Sequence, residues 1–141
     1  MPERPVREER TGWRDLELSQ RHRRWGWNCP AIDLDFVLLE YDRGKAVAIV
    51  EYKHEQAPLQ FPAHPSYQAL IDLGNRSGLP AFACRYADDF SWWRPIALNA
   101  IAKQLRASRD VISEQEWVAF LYKLRGYELP AEAWTDWQVA I

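Results

Sequence analysis

Residues 31–41, AIDLDFVLLEY, and residues 45–53, KAVAIVEYK, are two apolar, strand-like runs with only Asp42-Arg43-Gly44 between them. So short a gap suits antiparallel strands joined by a tight turn. This pair constrains the fold more than any other feature of the chain. It also carries an oddity: Asp33, Asp35, Glu51 and Lys53 interrupt runs that otherwise read as buried strand. An unpaired carboxylate inside such a run is expensive, so these groups need partners.

Turn geometry decides whether they meet. A two-residue turn at Arg43-Gly44 pairs Asp42 with Lys45 and sends the acids to opposite faces. A three-residue loop, Asp42 to Gly44, pairs Tyr41 with Lys45. Counting outward from there sets Asp35 opposite Glu51 and Asp33 opposite Lys53. The longer loop is favoured because its last position needs a positive φ, which Gly44 takes without steric cost. A slip of one residue would undo the arrangement.

In the favoured register Asp33, Asp35, Glu51 and Lys53 share a face. Directly opposed Cβ atoms then lie about 5 Å apart. Two carboxylates that close repel unless a proton or a cation sits between them. Mg²⁺ or Mn²⁺ suits oxygen ligands, and Mg²⁺ keeps several waters when bound this way. An ammonium beside the ion can orient an attacking water or stabilise charge at phosphorus. The chemistry this points to is metal-assisted phosphodiester hydrolysis.

The rest of the chain supplies the setting. Residues 1–12 read as a mobile tail, and residues 13–24 as a charged helix containing the run Arg21-His22-Arg23-Arg24. Residues 65–77 have helical spacing, with Tyr67, Leu70, Ile71 and Gly74 on one side. Residues 80–87 and 91–99 read as two further strands, Pro95 placing the second at an edge or strand end. Ser113 and Glu116 form a capping box ahead of the apolar face Trp117, Phe120, Leu121 and Leu124. The expected order is helix, strand hairpin, helix, strand, strand, helix: an α/β fold with a mixed central sheet flanked by helices. At 141 residues a single domain over 13–141 is expected, with a helical C-terminal part from about 100.

Composition excludes several classes. Cys29 and Cys84 stand far apart, and His22, His54 and His64 have no zinc-ligand spacing. No run approaches the roughly 20 apolar residues that span a bilayer, and a cytoplasmic setting without a membrane partner is the expectation. The formal charge of −2 gives no overall signal for nucleic acid, so that role would rest on local clusters. Trp92, Trp93, Trp134 and Trp137 read first as packing residues and only second as base-stacking platforms.

An acid, a hairpin, Glu-x-Lys on the next strand and then a helix resembles the PD-(D/E)XK nuclease superfamily, which includes restriction endonucleases, Holliday-junction resolvases and RecB-type nuclease domains. The resemblance covers about residues 13–90 and implies a restriction-endonuclease-like sheet. It places the family's first acid on Asp35 or Asp33, its second on Glu51 and its lysine on Lys53. Gln68 fits the supporting glutamine some members carry on the following helix, and Glu17 the acid some carry on the first. It implies a metal-dependent nuclease, with DNA the expected substrate ahead of RNA and Mg²⁺ or Mn²⁺ held by Asp35, Glu51 and Asp33. Arg21, Arg23 and Arg24 would contact phosphates, and a symmetric homodimer is the family expectation. The alternative is the same fold with a degenerate site, acting as a nucleic-acid-binding or protein-interaction module such as phages and mobile elements use.

Overall fold

The computed structural model describes residues 16–25, 34–40, 42–58 and 64–132. The chain divides into two compact units, Met1–Asp33 and Leu34–Ile141. In the first, helix α1 spans Leu16–Trp25. Its polar surface is stitched by Arg21 and Glu17, one turn apart and 2.9 Å between charged atoms.

The second unit holds β1 (Phe36–Glu40), β2 (Lys45–His54), α2 (Pro65–Ser77), β3 (Ala81–Tyr86), β4 (Trp93–Ala97), α3 (Ala100–Leu105) and α4 (Glu114–Leu124). The strands form one sheet in the order β1-β2-β3-β4. β1 pairs antiparallel with β2, β2 parallel with β3, and β3 antiparallel with β4. This is the expected α/β fold with a mixed sheet. Pro95 lies on β4, an edge strand of that sheet, where its missing N–H removes little from the ladder.

Alternation along β2 sends successive side chains to opposite faces, and each face has its own helix. Ile49, with Ala81 beside it in register, packs against Tyr67 and Leu70 of α2. Val50, with Cys84 and Trp93, packs against Trp117 of α4. The sheet is thus sandwiched between α2 and α4. Trp93 and Trp117 are core residues, as expected, whereas Trp134 and Trp137 lie outside the described residues. Burial pushes the Cys84 thiol up to about 12, which leaves it protonated and unreactive at neutral pH.

The capping box forms as expected: the Ser113 hydroxyl accepts from the Glu116 N–H, and the Glu116 carboxylate accepts from the Ser113 N–H. Helix α3 is an addition to the expected order of elements. Its signal was Asn99, a good N-cap ahead of a helix-forming run. Asn99 is 3 % exposed, and its side-chain oxygen accepts from both Ala81 and Ala102 N–H groups. Its Nδ2 donates to the Leu79 carbonyl at 2.8 Å. One amide therefore fastens the α2–β3 loop, β3 and α3. Gly74 of α2 passes so close that a Cβ there would stand 2.7 Å from Asn99 Nδ2 and 2.9 Å from the Leu79 carbonyl oxygen.

The hairpin corrects one expectation. The pair that closes it is Glu40 with Lys45, so the connection runs through four residues, Tyr41 to Gly44. Gly44 does take positive φ, +60°. Between Leu38 and Leu39 the register shifts by one: Leu38 faces Ala48 and Leu39 faces Ala46, which leaves Val47 as a bulge on β2. Beyond it Phe36 pairs with Val50, the register expected from a three-residue loop. The tip differs from the expectation, and the bulge brings the outer half back to it.

A candidate metal centre at the open end of the hairpin

β1 begins at Phe36, later than the expected strand over 31–41, so Asp35 stands one residue beyond its end. Continuing the register one step sets Asp35 opposite Glu51. Asp35 Oδ2 accepts a hydrogen bond from the Tyr52 N–H at 3.0 Å. The carboxylate thereby bridges to β2 where β1's own ladder has ended.

Glu51 and Lys53 follow the alternation of β2 and project from the same face as Ile49, the α2 face. Their side chains are 15 % and 25 % exposed, and Lys53 Nζ lies 3.4 Å from Glu51 Oε1. Glu51 Oε2 is buried and has no hydrogen-bond partner among the described residues. The Glu51 carboxyl is held above the usual carboxylate range, first by burial, then by the charge of Asp35, with Lys53 opposing. Two ionised carboxylates cannot hydrogen-bond each other, so either a proton or a cation must relieve the pair.

Asp35, Glu51 and Lys53 are therefore together on one face. Gln68 is exposed on α2, next to the core residue Tyr67 of the helix that covers that face. Asp33 lies outside the described residues. Glu17, Arg21, Arg23 and Arg24 all belong to α1, in the other unit. His54 projects to the opposite face, where Nε2 lies 2.9 Å from Asp88 Oδ1 and the ring meets Tyr86 edge-on.

The donor set fits a hard divalent ion. It offers the buried, unpartnered Oε2 of Glu51 and the adjoining carboxylate of Asp35, and Mg²⁺ is commonly held by one or two carboxylates with waters completing its shell. Among the described residues no group of three or more His, Cys, Asp or Glu is placed to bind one ion.

Sequence reasoning missed Arg85 and Arg94. Each pairs in register across the sheet, Lys53 with Arg85 and Arg85 with Arg94, so three cations share one row on the α2 face. Neither arginine sits in a motif, and the alignment becomes visible only once the strand order is known. It also missed Glu40, which is fully buried and paired at 3.4 Å with Arg125 just past α4.

No family model matches the chain, and no curated protein or solved structure matches it either. No helix among the described residues is long and apolar enough to cross a membrane.

Proposed function

We propose that this protein is a metal-dependent nuclease of the PD-(D/E)XK type, hydrolysing phosphodiester bonds, with DNA the expected substrate ahead of RNA. The observation that carries the reading is the Asp35–Glu51 carboxylate pair with Lys53 against it, on one face at the open end of a hairpin.

Asp35 and Glu51 would hold Mg²⁺ or Mn²⁺, with Asp33 as a further acid. Such an ion supplies Lewis acidity to a phosphoryl oxygen and acidifies a bound water. Lys53 holds its ammonium beside the pair, where it can orient a water or offset charge developing on phosphate oxygens. The burial of Glu51 strengthens these interactions by lowering the local dielectric. Gln68 would support the pair from α2, and the resemblance assigns Arg21, Arg23 and Arg24 of α1 to phosphate contact. A symmetric dimer would let two such sites cut two strands.

The test is incubation of the purified chain with supercoiled, linear and branched DNA, with and without Mn²⁺. Cleavage that needs the ion and is lost in Glu51→Gln and Lys53→Ala supports the reading. Absence of cutting by the wild type, or equal cutting by both variants, overturns it.

A second reading draws on the presence of only two carboxylates at the centre among the described residues. It makes the chain a nuclease-fold module that binds nucleic acid or protein without cutting. Binding of DNA without cleavage in any divalent ion would favour it.

A further inference from the structure

We infer that Lys53, Arg85 and Arg94 form a phosphate-binding track across the α2 face of the sheet. It would run from the carboxylate pair to the β4 edge and carry the backbone of a nucleic-acid substrate. This rests on the proposed nuclease reading for the identity of the ligand, but its supports are separate.

The first support is register. Lys53, Arg85 and Arg94 are consecutive partners on β2, β3 and β4, so their side chains leave the same face. Strands lie about 4.8 Å apart, so the row spans about 10 Å at its base. Like charges directly opposite one another destabilise a sheet, and three in succession call for a compensating anion.

The second support is how unevenly the protein itself compensates them. Lys53 has the Glu51 carboxylate 3.4 Å away. Arg85 donates to the Glu55 backbone carbonyl, which binds its donors without neutralising its charge. Arg94 is exposed, and its side chain has no ion pair or hydrogen bond among the described residues. Positive charge is thus least balanced farthest from the acids.

The third support is the row beside it. Glu51 is followed across the sheet by Ala83 and Ile96. No acid on β3 or β4 opposes the cations there, so the acid pair stands at one end and the cations extend away from it. An edge-strand charge also discourages edge-to-edge pairing. That role explains Arg94 alone and does not require Arg85 and Lys53 in line with it. The occupant the row fits is a polyanion with regularly spaced charges and no need for base recognition, which describes a phosphodiester backbone.

The experiment is fluorescence-anisotropy titration of a labelled DNA duplex in EDTA, over a range of salt, with the full chain. Wild type should bind with salt-dependent affinity. Arg94→Gln should weaken binding alike for unrelated sequences and reduce the log–log salt slope by about one. Arg94→Lys should keep the slope, since a point charge suffices. Lys123→Gln, an exposed cation on α4, should change nothing. Circular dichroism of Arg94→Gln should match wild type, because the side chain is exposed. Failure of the wild type to bind, an unaltered slope in Arg94→Gln, or an equal loss in Lys123→Gln overturns the track. Because EDTA removes the metal, a protein that never cleaves can still pass this test, and one that cleaves can still fail it.

Discussion

The carboxylate of Asp35 accepts a hydrogen bond at 3.0 Å from the backbone of Tyr52, a residue on the neighbouring strand. The bond orients the acid and stands in for a ladder hydrogen bond where β1 has ended. Asp35→Asn retains a side-chain oxygen for this contact but removes the charge. The variant should keep the fold, let the Glu51 carboxyl titrate closer to its ordinary range, and lose Mn²⁺ affinity. Loss of a direct ligand should exceed the roughly 10–100-fold cost of losing an outer-shell partner. Calorimetric Mn²⁺ titration of wild type and variant checks it. Unchanged affinity would remove Asp35 from the ligand set.

Glu51 gives a pH dependence with a definite sign. Its carboxyl is raised in the folded state, chiefly by burial, so the folded protein holds this proton more tightly than the unfolded chain. The contribution to stability is full below the unfolded carboxylate range and is lost as pH rises through the raised folded value. Glu51→Gln should therefore stabilise the apo-protein above that value and lose its advantage in acid. Melting temperatures across pH 4 to 8, on the order of the carboxylate-to-neutral range, read this directly. Mn²⁺ should reverse the order at neutral pH by stabilising the wild type alone.

The same titration controls metal capture. A cation competes with the proton on Glu51, so Mn²⁺ affinity should climb with pH until that carboxyl is ionised and then level off. In Glu51→Gln the climb should flatten.

On the other face, Arg125 lies 3.4 Å from the buried carboxylate of Glu40. Arg125→Met should leave that charge poorly compensated. Truncating one partner of a buried pair typically costs about 3–5 kcal/mol, and the 21 % exposure of the Arg125 side chain points to the lower end. Glu40→Leu with Arg125→Met should recover most of the loss. Urea denaturation of the wild type and the two variants settles the comparison.

Gly74 reverses a usual rule. Alanine in a helix interior is about 1 kcal/mol better than glycine by propensity. Here the added Cβ would meet Asn99 Nδ2 at 2.7 Å and a backbone oxygen at 2.9 Å. Gly74→Ala should destabilise the fold, lowering the urea midpoint, because the Asn99 contacts must give way.

These residues also show where sequence reading works. Helix α2, the α4 capping box and the β2 core were legible because each rests on local spacing: apolar periodicity, a Ser with Glu three residues on, an apolar run. The opposition of Asp35 and Glu51 was legible because a hairpin leaves few registers. Arg85, Arg94 and the Glu40–Arg125 pair were not, because each depends on contacts between strands or helices distant in sequence. Glu40 is instructive: in sequence it is one more acid at a strand end, and its burial is tolerable because Arg125 pairs with one carboxylate oxygen and the Asp42 N–H donates to the other.

Val47 has the widest consequence. Because the extra residue there takes up the mismatch between a four-residue connection and the ladder beyond it, the length of the hairpin tip is uncoupled from the alignment of Asp35 with Glu51. Deleting that valine would join Ala46 directly to Ala48 and leave Leu39, Leu38 and the residues outward of them with the partners they have now, so the acids would stay aligned and the strand would lose only the added local twist of the bulge.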